Sequence, residues 1–244
     1  MSHIHVDVEN LTFSYGNSEP VISDLTLHFR EGESIGIIGA NGVGKSTLLK
    51  LLVGLENGFD GSIRIEEIPV EKNTLAKIRE RVGYVFQDSE SQLFTSKVYD
   101  DVAFAPRNYG FSPEEVELRT KRALEMVHIE HLAQKQIYKL SGGEKKLASI
   151  ATILSMTPDI ILMDEPTNSL DPGNRRAIIN LLNEFSHMKI IASHDLDFIW
   201  DTCTRTILMK DGKVAYDGAT EDILRNKELL EECGLELPLS LCSR

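Results

Sequence analysis

One stretch constrains this chain more than any other: Ser34-Ile35-Gly36-Ile37-Ile38, running straight into Gly39-Ala40-Asn41-Gly42-Val43-Gly44-Lys45-Ser46-Thr47. Its first part is a short apolar run, the pattern of a strand buried on both faces. Its second part fits G-x-x-x-x-G-K-[ST], in which glycines let the backbone turn tightly. Lys45 to Val53 then reads as an apolar-rich helix stopped by Gly54. Strand, glycine turn and helix in that order open a parallel sheet, so an α/β core is expected.

A turn of this kind cradles phosphate. Backbone N–H groups around Gly39, Asn41, Gly42 and Gly44 would face the oxygens, and the helix N-terminus adds partial positive charge. Lys45 is placed to reach β- and γ-phosphates, and the Ser46 hydroxyl to ligate Mg2+, with Thr47 next to it. Alone, the motif suits small-molecule kinases, GTPases and motor ATPases equally. A second half is supplied by Asp159-Ile160-Ile161-Leu162-Met163-Asp164-Glu165, an apolar strand ending in two carboxylates. Asp164 would hold Mg2+ through water, and Glu165 would polarise an attacking water as general base.

The rest of the chain frames these two pieces. Ile4 to Val8 and Leu25 to Phe29 alternate as strands, the second before a turn at Arg30-Glu31-Gly32-Glu33. His3 and His5 belong to the first alternation, which accounts for them better than a metal site does. From about Asp88 to Met156 the pattern is helical. Ser112-Pro113-Glu114-Glu115 has a serine cap, a first-turn proline and a glutamate to close a capping box, ahead of an apolar face of Val116, Ala123, Leu124 and Val127. Sheet character returns at Asp159 to Met163 and Lys189 to Ser193, and Asp171-Pro172 caps a helix running to about His187. Strands on both sides of a helical block predict one α/β core with a helical insertion.

Composition narrows the class. Hydrophobic content of 41% and charged content of 26% are ordinary for globular chains, which excludes a disordered chain or a disulfide miniprotein. No run approaches the ~18 apolar residues of a membrane-spanning helix, and Met1 to Asp7 has neither the basic cap nor the apolar core of a signal peptide. Cys203, Cys233 and Cys242 lack metal-ligand spacing and read as reduced thiols of a cytoplasmic protein. A net charge of −12 argues against broad binding to a nucleic-acid backbone, so no nucleic-acid partner is expected.

Leu140-Ser141-Gly142-Gly143-Glu144 resembles the signature motif of ABC-type ATPases, with glutamate where glutamine is commoner. A serine hydroxyl with consecutive glycine N–H groups at a helix start forms another anion nest, although the same residues also suit a plain helix N-cap. One chain has no need of two cradles for one γ-phosphate. A head-to-tail pair of chains does, each signature capping the nucleotide on the other's phosphate loop. Further landmarks fall in the order this family requires, and the resemblance covers residues 1 to about 220. Gln87, after Val82-Gly83-Tyr84-Val85-Phe86, resembles the loop glutamine that touches Mg2+ and the attacking water. Ser169-Leu170-Asp171 resembles the loop that crosses between chains, and His194 the switch histidine at the γ-phosphate. Tyr15, in Phe13-Ser14-Tyr15-Gly16, resembles the aromatic that stacks on adenine. Taken singly, Tyr15 reads as core and His194 as an ordinary loop histidine.

Within the family, Gln87-Asp88-Ser89-Glu90-Ser91-Gln92-Leu93-Phe94, with Val98 to Pro106 after it, resembles energy-coupling-factor transporters and their cobalt/nickel-type ATPases. Gly143-Glu144-Lys145-Lys146 points the same way. In that group a groove beside this segment receives a short helix from the membrane subunit. Gln92, Leu93 and Phe94 are therefore expected to form a docking groove, the plain alternative being that Leu93 and Phe94 pack inside the helical lobe. The tail from Ile223 to Arg244 resembles the short tail of the cobalt/nickel type, vitamin-type ATPases usually running longer.

The resemblance implies an α/β P-loop NTPase core with a parallel sheet, an antiparallel β subdomain and an inserted helical subdomain. It implies a single domain over 1–244, with core 1–87 and 157–220, insertion about 88–156 and tail 221–244. It further implies an ATP- and Mg2+-dependent hydrolase that dimerises with itself or a homologous ATPase chain. Integral membrane transporter subunits would hold it at the cytoplasmic face of the membrane, to import cobalt or nickel. A vitamin importer is the alternative. A soluble ABC ATPase acting on ribosomes or DNA would carry tandem cassettes or long coiled-coil insertions, and a P-loop kinase leaves Leu140 to Glu144 unexplained.

Overall fold

Alternation near the N-terminus becomes a hairpin in the computed structural model, which describes residues 4–16, 18–168 and 170–242. Strand β1 (His5–Phe13) pairs antiparallel with β2 (Ile22–Arg30), and Val6, Val8, Leu25 and Leu27 turn inward from them. The run at Ser34 becomes β3 (Ser34–Ile38), buried along its whole length, and feeds helix α1 (Lys45–Leu52). Strands β4 (Asp60–Ile65) and β5 (Ile68–Pro69), helix α2 (Leu75–Arg81) and strand β6 (Val82–Val85) follow. The helical stretch holds α3 (Val98–Val102), α4 (Phe104–Asn108), α5 (Pro113–Met126) and α6 (Gly142–Leu154). Then come β7 (Ile160–Asp164), α7 (Pro172–Glu184), β8 (Met188–Ala192), α8 (Leu196–Thr202), β9 (Arg205–Lys210) and β10 (Lys213–Ala219), with α9 (Thr220–Leu224) and α10 (Lys227–Glu232) in the tail.

These elements group into two compact units. One comprises Met1–Val82, Asp159–Asp164 and His187–Arg244; the other comprises Gly83–Pro158 and Glu165–Ser186. The first holds an antiparallel sheet ordered β2-β1-β4-β5 and the main-sheet strands in the order β10-β9-β3-β8-β7. In the main sheet β3 pairs parallel with β8 and β9, and β7 parallel with β8, while β10 is an antiparallel edge. The second unit is helical, with α5 packed on α6 and α6 on α7. Among the described residues no helix is long and apolar enough to cross a membrane.

Local signals explain most boundaries. Ser112 caps α5 by accepting from the Glu115 N–H, and Val116, Ala123, Leu124 and Val127 are all buried. Helix α7 starts at Asp171-Pro172 as expected but stops at Glu184, short of His187. The cause is the neighbouring strand: the Lys189 N–H bonds the Glu33 carbonyl at 3.0 Å, which draws the chain into β8 from Met188. Cys203 and Cys233 are buried free thiols and Cys242 an exposed one, and burial pushes the Cys203 thiol up to about 11.

Gly36 sits mid-sheet beneath α8. A Cβ there would stand 2.6 Å from Ile199 Cγ2 and 3.5 Å from the Thr206 hydroxyl, against a β-branched side chain with nowhere to move. Gly36→Val should therefore cost about 1–3 kcal/mol through overpacking. Urea unfolding would report it as a lower midpoint at unchanged slope.

Candidate functional site

Three strand ends of the first unit lie at one edge. Ile37 is opposite Ala192 and Asp164 is opposite Ala192, so β3, β7 and β8 end side by side. In open α/β sheets the carboxyl edge is where ligands bind.

The glycine turn leaves this edge in a conformation that side chains resist. Gly39, Gly42 and Gly44 have φ of +147°, +80° and +105°. A Cβ on Gly39 would lie 2.5 Å from the Met209 carbonyl oxygen, and one on Gly44 2.9 Å from that of Val21, so both space and backbone demand glycine. Asn41 and Gly42 are exposed at the tip. Gly44 caps α1, and the next three residues point three ways. The buried Lys45 ammonium folds back to donate to Gly39 O (2.8 Å) and Ala40 O (3.1 Å). Ser46 Oγ donates to Asp164 Oδ1 at 2.8 Å. Thr47 Oγ1 meets the Tyr15 hydroxyl at 3.2 Å.

The Ser46–Asp164 contact sets a hydroxyl beside a buried carboxylate, a pair of hard oxygen donors of the kind Mg2+ takes. Tyr15 is not core. Its ring is 43% exposed, with one edge on Phe13 at 4.9 Å. His194 is exposed in the turn between β8 and α8. The Ser193 N–H, bonded to the Ile37 carbonyl at 3.1 Å, ties that turn to β3, and Asp195 caps α8 through the Phe198 N–H.

In the second unit, Glu165 directly follows β7. It is buried, at φ +47°, a left-handed conformation uncommon outside glycine and concentrated at functional sites. The sequence carries no signal for it. Gln87 is exposed, one residue before a turn in which the Asp88 carboxylate accepts from the Glu90 N–H and the Ser91 hydroxyl. Ser141 and Gly142 are exposed at the start of α6. There Ser141 Oγ accepts the Glu144 N–H and Glu144 accepts the Ser141 N–H, a full capping box that S-x-x-E would have announced. That backbone bond, foremost, holds the Glu144 carboxyl below its usual range. Gly143 is buried against the first turn of α7, where a Cβ would lie 2.8 Å from Asn174 Nδ2. Asn174 in turn donates to Asp171 Oδ2 at 2.6 Å. Asp171 caps α7, and the Asn174 N–H keeps its carboxyl low. Gly143 and Asp171 are thus brought together. Ser169 and His3 lie outside the described residues.

The expected docking groove needs correcting. Gln92 does not line it; its amide turns inward, donating to Ser149 O (2.7 Å) and Thr152 Oγ1 (2.8 Å) and accepting from the Phe86 N–H (3.1 Å). Leu93 is 7% exposed and forms the floor, as the plain alternative had it, while Phe94 is 65% exposed and stacks edge-on with Phe104. What remains is an open groove of about 450 Å3 lined by Leu93, Phe94, Ile137 and Tyr138, with Glu90 and Lys145 paired beside it. Asp101 was missed as a determinant. Buried, and pushed up by that burial, its carboxylate accepts the Phe94 and Thr95 N–H groups and so sets the turn that presents Phe94.

Residues 22–168 match the family model described as ABC transporter. A Geobacter sulfurreducens protein provisionally named an ABC transporter ATP-binding protein is 50% identical over 241 residues, covering 99% of this chain and 97% of that one. The energy-coupling factor transporter ATP-binding protein EcfA2 of Methanospirillum hungatei is 38% identical, across 97% of this chain and 61% of its own length. Among solved structures, CbiO1 from Clostridium perfringens, part of the ABC transporter complex cbiONQ, superposes with a TM-score of 0.82 at 35% identity, covering 96% of this chain and 95% of that one. With a phosphate loop on β3, a carboxylate at the end of β7 and a capped signature helix, the chain belongs to the ABC transporter ATP-binding family and is an ATP-binding, ATP-hydrolysing cassette.

Proposed function

We propose that this ATPase powers an energy-coupling-factor importer of divalent cobalt or nickel. It works as a dimer, with a second copy or a homologous ATPase chain, and integral membrane subunits hold it at the cytoplasmic face of the membrane. The observation that carries the reading is the exposed apolar groove at Phe94, in a segment that resembles the cobalt/nickel type. Likeness to CbiO1, a member of a transporter complex, and to an EcfA2 protein supports the same class. We read 1–244 as one domain, with core 1–87 and 157–220 and insertion 88–156.

Each residue then has a role. N–H groups around Gly39, Asn41, Gly42 and Gly44 receive the phosphates, Lys45 leaves its loop carbonyls for the β- and γ-phosphates, and Tyr15, steadied by Thr47, stacks on adenine. Ser46 and Asp164 would hold Mg2+, with Gln87 as a further oxygen donor by resemblance; bound there, the ion offsets charge on the transferring phosphoryl group. Glu165 accepts a proton from the attacking water, and His194 contacts the γ-phosphate. Ser141, Gly142 and Gly143 present hydroxyl and N–H groups to the nucleotide of the other chain, with Asp171 in the loop between chains. Positioning and fixed charge carry the rate.

Three experiments test this. Glu165→Gln should bind ATP, turn over on the order of 10²-fold more slowly, and elute as an ATP-dependent dimer. Near-normal turnover would remove Glu165 from the role. Mixing Lys45→Ala with Ser141→Arg chains places both defects in one composite site and leaves the other clean, so ATPase activity should recover partly over either homodimer; proven mixed dimers without recovery would count against a shared site. Reconstituted with its membrane subunits, the complex should take up radiolabelled cobalt or nickel. Phe94→Asp should abolish assembly and uptake while the isolated subunit still binds ATP. A membrane subunit that binds a vitamin instead would sink the metal assignment and leave the ATPase assignment standing.

A further inference from the structure

The loop that carries Gln87 is fastened to α6 by side chains with no part in the roles above. Lys146 is 2% exposed, and its Nζ donates to the carbonyl oxygens of Phe86 (2.9 Å) and Gln87 (2.8 Å). Lys145, one residue earlier, pairs with the Glu90 carboxylate. Farther along the helix, Ser149 O and Thr152 Oγ1 hold the Gln92 amide, whose oxygen accepts the Phe86 N–H. Positions 146, 149 and 152 follow one another at helical spacing on one face. The helix that begins beside Ser141 therefore grips segment 86–92 at both ends, and it grips backbone as well as side chains.

We propose that Lys146 is a positioning residue for ATP hydrolysis: by holding the carbonyls of Phe86 and Gln87 it sets where Gln87 stands and ties that place to the helix opening at Ser141. This rests on the reading of Gln87 as part of the hydrolytic site. An ammonium group has three donors and no acceptor, so it suits two carbonyls converging on one point, and a side chain without donors leaves both unpartnered. Gln87 itself is exposed, and the clamp on its own carbonyl restrains a side chain that its surroundings do not enclose. A misplacement of about 1 Å at a reacting centre costs up to about 10²-fold in rate. Through the clamp, engagement of the Ser141 turn and presentation of Gln87 become one movement.

The test uses the full chain in four forms: Lys146→Met, Lys146→Arg, Gln87→Ala and the Lys146→Met/Gln87→Ala double variant. Thermal melting and binding of a fluorescent ATP analogue accompany steady-state hydrolysis. Lys146→Met should lower kcat by about 10-fold or more with little change in KM, and Lys146→Arg, which keeps donors, should restore most of it. The double variant should be no slower than Gln87→Ala, because both changes disable one element. If Lys146→Met does not fold, Lys146→Gln, with one amide donor group, should show a smaller kcat loss and the same lack of additivity. A wild-type kcat in the Lys146 variants alongside a slow Gln87→Ala would overturn the proposal, as would losses that multiply in the double variant. Wild-type turnover in Gln87→Ala would instead overturn the role of Gln87, and the positioning role with it.

Discussion

Backbone meets backbone at the turn between β3 and α1, and the rest of the phosphate edge depends on that approach. Gly39 lies against the Met209 carbonyl and Gly44 against the Val21 carbonyl, at separations that leave no room for a Cβ. The walls are rigid. β3 is buried between β8 and β9, and Ile35, Ile37 and Ile38 each add roughly 1.5–3 kcal/mol by burial. A loop pressed into such a slot has little freedom to lose when an anion enters, which is what makes its N–H dipoles effective. The same confinement fixes the first turn of α1. Lys45, Ser46 and Thr47 then reach to the loop, to β7 and to Tyr15.

The helical unit solves a different problem with buried polar groups. Burying a charge is costly unless hydrogen bonds replace water. Here those bonds go to backbone: Lys146 to the carbonyls of Phe86 and Gln87, Asp101 to the N–H groups of Phe94 and Thr95. Neither contact is a salt bridge, and each fixes an irregular loop that apolar packing alone would leave loose. Internal polar groups thereby specify two surface features, the exposed Gln87 and the exposed Phe94.

Gln92 illustrates how a correct segment can conceal a wrong role. Its place in a family-like run marked the loop, and its amide was expected at a surface. An amide carries two donors and an acceptor, and the groups that meet it in this loop are internal: Ser149 O, Thr152 Oγ1 and the Phe86 N–H. Leu93 followed it inward, and only Phe94 remained outside. Tyr15, which taken singly reads as core, meets Thr47 through its hydroxyl and keeps its ring partly exposed.

What the sequence by itself determined is whatever short-range chemistry dictates. The β3 run, the glycine turn, the α1 start, the caps at Ser112, Asp171 and Ser141, and the acid pair ending β7 are all readable, because each depends on residues within a few positions of one another. The tertiary structure alone decided which distant groups meet. Ser46 finds Asp164, Gly143 packs beside Asn174 and Asp171, Lys146 reaches back to Gln87, and Asp101 turns under Phe94. It alone placed Glu165 at positive φ, a conformation its residue type disfavours and its neighbours in sequence do not announce. Those outcomes follow from strand register and helix packing, which set distances between residues far apart in the chain, and no local pattern encodes such distances.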